Sequence, residues 1–104
     1  MTEADILNLI STGESETCEF KSSFNAETVE TLVAFANSKG GTVLVGVNNS
    51  GKIIGVELQK ETLRLWLNEV KSKTSPMLIP DVKALTANDK TIVLFSVKEY
   101  PVKP

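Results

Sequence analysis

Histidine is absent from this chain, and cysteine occurs once, at Cys18. Within the chain that excludes a disulfide framework, a Cys/His zinc site and any triad that needs an imidazole base. Arginine also occurs once, at Arg64, so bidentate reading of base edges is poorly supplied. Long hydrophobic runs are missing too. Purely apolar stretches such as Val43-Leu44-Val45 extend over a few residues, against the ~20 that a membrane-spanning helix needs. Residues 1–15 carry Glu3, Asp5 and Glu14 where a secretory leader has a basic flank and an apolar stretch. The expected compartment is therefore the cytoplasm, with no membrane partner.

What remains is an ordinary globular composition. At 104 residues, 41% hydrophobic and 23% charged, the chain suits one domain rather than a disordered or fibrous segment. A chain of this size buries roughly 65% of its unfolded surface, enough for one modest core. The net charge of −2 conceals an asymmetry: residues 1–50 hold seven acids and two lysines, whereas residues 51–104 hold nine basic residues and six acids. This points weakly to a basic surface on the second half, although a pI of about 5.1 is not that of a typical nucleic-acid binder.

The pattern along the chain predicts alternating elements. Thr2-Glu3-Ala4-Asp5 has the capping-box form and precedes Ile6, Leu9 and Ile10 at helical spacing, with Gly13 as the C-cap. Cys18-Glu19-Phe20-Lys21 alternates, placing Cys18 and Phe20 inward and Glu19 and Lys21 together on the other face. Asn25 is the N-cap of a second helix with the stripe Val29, Leu32, Val33 and Ala36, which Gly40-Gly41 ends. Thr42–Val47 reads as a buried strand, Asn48–Gly51 as a turn, and Ile53–Val56 as its returning partner. Leu63, Trp66, Leu67 and Val70 define a third helix that stops before Pro76. Strands are expected around Pro80–Leu85 and Thr91–Val97, joined by a turn over 87–90. The order α-β-α-β-β-α-β-β predicts an α+β fold, one mixed β-sheet with about three helices packed on it. Residues 99–104 read as a strand running into a Pro-punctuated connection, as expected of a fragment of a longer protein.

Several constellations carry candidate chemistry. Gly46 to Lys52 matches the first seven positions of a phosphate-binding P-loop, but the eighth is Ile53 rather than Ser or Thr, and a strand rather than a helix follows. A hairpin turn is the better reading. Glu14, Glu16 and Glu19 are carboxylates of the kind that hold a hard divalent cation, and Lys21 beside Glu19 is suited to steadying a phosphate. An acidic loop with an ordinary Glu–Lys pair explains the same residues. Asn37-Ser38-Lys39-Gly40-Gly41 reads as a tight, backbone-rich turn. Trp66 reads as core rather than a stacking platform, and Cys18 as a small buried residue with no base to activate it.

Taken in order, Glu14-x4-Glu19-Phe20-Lys21, Ala34-Phe35-Ala36-Asn37-Ser38-x-Gly40-Gly41 and Val45-Gly46-Val47-Asn48-Asn49-x-Gly51-x3-Gly55 resemble one family. The sequence resembles the Schlafen-type AlbA-like domain, also called a divergent AAA domain, over about residues 3–98. The resemblance implies an α+β fold and a DNA-binding or other nucleic-acid-binding role in a bacterial transcriptional regulator, with a downstream domain in the same protein. Lys21 falls on the family's lysine, and with Lys39, Lys52 and other lysines of the second half it is expected to make salt-sensitive phosphate contacts. Asn37, Gly40, Gly41, Gly46, Gly51 and Gly55 read as structural turn positions. Some relatives are metal-dependent ribonucleases using two glutamates and an aspartate. Glu14 and Glu19 fall on the glutamate positions, but the third is Asn49, whose amide brings no negative charge. Magnesium or manganese would be needed only for that nuclease alternative. A third alternative is a dimerisation module acting as a homodimer.

Overall fold

The computed structural model describes residues 1–100. Its elements are α1 (Glu3–Thr12), β1 (Cys18–Lys21), α2 (Ala26–Ala36), β2 (Gly41–Val45), α3 (Thr62–Ser72), β3 (Asp81–Ala87) and β4 (Lys90–Val97). The four strands form one mixed sheet in the order β1-β2-β4-β3. β1 and β2 are parallel across the α2 crossover, and the remaining pairs are antiparallel. The fold is thus α+β, with three helices on a four-stranded mixed sheet. Pro101–Pro104, the expected Pro-punctuated connection, lie outside the described residues.

Local sequence accounts for most element boundaries. The Thr2 hydroxyl accepts the Asp5 N–H while the Asp5 carboxylate accepts the Thr2 N–H, a reciprocal cap that satisfies two orphan donors of α1. Those bonds also hold the Asp5 carboxyl below its usual range. Gly13, at φ 82°, closes the helix by donating to the Ile10 carbonyl. Asn25 caps α2 in the same reciprocal way with Thr28. A two-residue turn joins β3 to β4 with positive φ at both Asn88 and Asp89, which matches the twist of an antiparallel hairpin. The Ile53–Val56 segment departs from the hairpin expected for it. It pairs through one bridge, Val47 to Ile53, because Ile54 and Gly55 both donate to the single carbonyl of Gly46. The second ladder partner of β2 is β4 instead.

Both faces of the sheet are covered. Ile6 of α1 joins Phe20, Leu44, Val47, Ile53 and Ile92 on one side. Val29, Leu32 and Phe35 of α2 and Val70 of α3 pack on Val43, Val45, Val93 and Phe95 on the other. Successive residues of β2 and β4 are therefore buried alternately on opposite faces, which explains the continuous apolar run Val43-Leu44-Val45. Trp66 belongs to this second core: its ring stacks on Phe24 at 4.9 Å and nearly parallel, and Phe24 stacks in turn on Phe95 at 5.6 Å. Truncating a fully buried anchor such as Phe95 costs ~3–5 kcal/mol on general grounds. No helix among the described residues is long and apolar enough to cross a membrane.

Candidate functional site

Two of the three sequence segments singled out above, those carrying Lys21 and Gly46, meet at the carboxyl ends of β1 and β2, while the Asn37–Gly41 turn lies at the opposite end of these strands. The Lys21 carbonyl, at the end of β1, accepts N–H bonds from Gly46 at 2.7 Å and Val47 at 3.3 Å. Gly46 has φ 107°, and a Cβ there would sit 2.9 Å from the Ile92 side chain, so only glycine fits without displacement. Beyond it the chain forms a loop that contains Gly51 and Gly55 and is organised by one side chain. The Asn48 carboxamide oxygen accepts from the Ser50 N–H, the Ser50 hydroxyl and the Lys52 N–H, all within 3.0 Å. Asn49 sits exposed at the tip of this turn.

The carboxylates are already employed. Glu14 accepts the backbone N–H of Phe20 at 2.9 Å. Glu19 accepts the Thr31 hydroxyl at 2.9 Å and pairs with the Lys21 ammonium at 3.1 Å. Lys21 reaches Glu27 of α2 as well, at 3.4 Å, and its side chain is 18% exposed. Partial burial alone would lower the Lys21 pKa, but Glu19 and then Glu27 outweigh it and hold the ammonium above its ordinary range. β1 is thereby fastened to α2 by a Thr31–Glu19–Lys21–Glu27 chain. Cys18 faces the opposite core. Burial, followed by the Glu14 and Glu19 charges, pushes its thiol up, away from the reactive thiolate.

These groups do not fit a hard-cation centre. Such a site wants several anionic oxygens with free lone pairs. Here Glu14 holds a strand amide, Glu19 is bound to an ammonium and a hydroxyl, and the third position is a neutral amide. Among the described residues, no three His, Cys, Asp or Glu side chains are grouped to hold a metal ion.

The candidate lysines are not brought together. Lys39 lies in the turn before β2, at the other end of β1, a strand about 10 Å long. It pairs with Glu16 at 3.1 Å in a fully solvated setting. The same turn is tightly packed. A Cβ on Gly40 would meet the Val97 carbonyl at 2.7 Å, and one on Gly41 would meet the Phe35 ring at 2.6 Å. Asn37 caps α2. This turn therefore serves the fold. Lys52 differs from Lys21 and Lys39. It lines a cleft of about 620 Å³ between α1, the Asn48 loop and the β3–β4 turn, and Lys90 lines it too.

Across residues 14–104 the sequence matches the family described as Schlafen, AlbA_2. The chain belongs to that family. Its fold is similar to that of the N-terminal domain of a protein related to the ATP-dependent DNA helicase RecG, from Nitrosomonas europaea. That similarity has a TM-score of 0.72 at 21% identity, over 95% of this chain and 74% of that one. It is also similar to the DIP2311 protein of Corynebacterium diphtheriae, with a TM-score of 0.70 at 17% identity over 96% of this chain. This AlbA_2 domain spans 22% of the Corynebacterium chain. Membership points to a nucleic-acid-related role at the level of the family.

Sequence reasoning overlooked Glu27 and Thr31, the α2 partners of the β1 pair, and Lys90, which lines one cleft with Lys52. For Thr31 and Glu27 a signal existed, since both can face a neighbouring strand if α2 is laid across β1. Lys90 gave none, because its approach to Lys52 depends on the pairing of β4 with β2.

Proposed function

We propose that this AlbA_2 domain is a non-catalytic nucleic-acid-binding module, with DNA as its ligand, in a bacterial transcriptional regulator. It grips the phosphate backbone rather than base edges. The observation that carries the reading is the commitment of the two family glutamates to internal contacts, Glu14 to the Phe20 amide and Glu19 to Lys21 and Thr31, with Asn49 in the third place. A domain of this family whose acids are spent on structure keeps the binding role and gives up metal-assisted hydrolysis. With one arginine in the chain, contacts come from lysine ammonium groups, which act as point charges and carry little sequence information.

The test is a fluorescence-anisotropy titration of labelled single- and double-stranded DNA and RNA at two salt concentrations. Binding should weaken steeply as salt rises, because phosphate contacts release counterions. Affinity that ignores salt overturns the reading. Cleavage of labelled RNA in manganese that disappears in Glu19→Gln would replace it with the nuclease alternative.

A further inference from the structure

The cleft between α1 and the Asn48 loop combines features not found together elsewhere among the described residues. Leu7, Ile10 and Ile53 give it an apolar wall, while Lys52 and Lys90 supply ammonium donors and the Ser50 hydroxyl, which donates to Asn48, keeps only its acceptor lone pairs. No acidic side chain among the described residues pairs with Lys52 or Lys90. The Lys90 ammonium donates to the Ile53 carbonyl at 3.3 Å, an uncharged acceptor on the cleft wall, and Lys90 stands between this cleft and a shallower depression lined by Glu57 and Asp89. By contrast Lys21, Lys39, Arg64 and Lys73 are each spent on a glutamate.

The end of α1 beside the cleft is partly capped by its own side chains and backbone. A helix C-terminus ordinarily presents free carbonyls and a partial negative charge. In α1 three carbonyls near this end are engaged: Asn8 by the Ser11 hydroxyl, Leu9 by the Thr12 hydroxyl and Ile10 by the Gly13 N–H. The Asn48 carboxamide meanwhile fixes the backbone that carries Ser50 and Lys52, so their geometry is set before a ligand arrives. Glu3 is the acid held at the rim, where it accepts the Asn88 N–H at 3.1 Å.

We propose that this cleft is a nucleotide-phosphate site, in which Lys52 and Lys90 bracket one phosphate and the apolar wall receives the attached sugar. For its polymeric ligand the assignment rests on the nucleic-acid-binding reading above. No aromatic ring lines the cleft, so bases are not stacked there and the phosphate is the recognised group. The same chemistry is offered by a strand of nucleic acid and by a free nucleoside monophosphate, and the experiment separates them.

Amide chemical shifts of Ser50, Gly51, Lys52 and Asn88 are followed during titration with a nucleoside 5′-monophosphate and, separately, with a short oligonucleotide. Anisotropy titrations with the oligonucleotide over a range of salt run in parallel on wild type, Lys52→Gln, Lys90→Gln, Ser11→Glu, and the charge-matched controls Lys60→Gln and Lys83→Gln. Both ligands are expected to shift the cleft amides. Each cleft lysine variant should lower affinity several-fold and reduce the salt slope by about one, Ser11→Glu should abolish binding at moderate salt, and the controls should leave the slope unchanged. Oligonucleotide binding with unmoved cleft amides and an unaltered slope in the lysine variants overturns the cleft and leaves the broader reading standing. Shifts from the monophosphate without oligonucleotide binding leave the cleft as a site for free nucleotides and overturn the broader reading. Silence of the cleft amides toward both ligands, with no oligonucleotide binding, overturns both.

Discussion

The β1–α2 edge and the α1–loop cleft use the same residue types to opposite ends. At the edge, Lys21 is enclosed by Glu19 and Glu27, and the Glu19 carboxylate is further fastened by Thr31. In the cleft, Lys52 and Lys90 line open volume, and no carboxylate among the described residues pairs with either. A lysine's sequence neighbours gave Lys21 the better credentials for binding, since it stands beside a family glutamate. Its spatial neighbours engage it in two ion pairs instead. An ammonium already satisfied by two carboxylates has little electrostatic attraction left for a phosphate, whereas an unpaired one retains its full charge.

The sharpest way to break this contrast is at Gly46, which joins the two regions. Its N–H bonds to the Lys21 carbonyl, and its own carbonyl accepts from Ile54 and Gly55 at the start of the cleft wall. Gly46→Val forces a β-branched residue into φ 107° and against Ile92, and should cost on the order of 2–4 kcal/mol. Thermal unfolding should fall by ~10–20 °C. A melting temperature near that of wild type would mean that the regions are not structurally linked.

Lys21→Met should come next, at about 1 kcal/mol, because it leaves Glu19 half-buried beside Thr31 without its cation. Denaturant unfolding measures this, and the double substitution Glu19→Gln with Lys21→Met should cost less than the sum of the two singles. The cleft variants Lys52→Gln and Lys90→Gln should stay within ~0.5 kcal/mol of wild type in the same assay. Equal losses at both places would erase the distinction between a structural and a free lysine.

Alkaline titration of stability sharpens it further. The folded pKa of Lys21 is raised, so its contribution is complete below the ordinary lysine value of 10.5 and is lost as pH climbs through the higher folded value. Wild type should therefore lose stability in that window by a margin that Lys21→Met does not show, as read by denaturant midpoints across alkaline pH. The smallest effect belongs to Lys39→Gln. Its pair with Glu16 is 74% and 80% exposed, and removing it should change stability by less than ~0.5 kcal/mol, with salt already screening most of it.

Much of the fold was legible in local chemistry. The Thr2 and Asn25 caps, the Gly13 stop, the alternation of Cys18-Glu19-Phe20-Lys21 and the Asn88-Asp89 turn are decided by residues a few positions apart, where periodicity and capping rules apply. The Ile53–Val56 return was misjudged in extent. Its apolar residues suit a strand, but β2 has two edges, and β1 and β4 take them both. Pairing of that kind is a competition among distant segments that no local window contains. The site follows the same division. Glu19 and Lys21 were readable as neighbours on one strand face, whereas the partners that define their role come from α2. Lys90 joins Lys52 through contacts between elements far apart in sequence.

The two-residue turn at Asn88–Asp89 has a consequence for the order of assembly. β3 and β4 are adjacent in the chain, and a hairpin of this type closes in about 1–10 μs. β2 finds its partner β4 only across roughly half the chain, a loop closure that is slower and entropically costlier. The hairpin thus arrives at β2 as a preformed unit carrying Lys90 at its tip, and Lys52 waits in the loop beyond β2. Lys52 and Lys90 therefore line one cleft only once the hairpin has docked on β2.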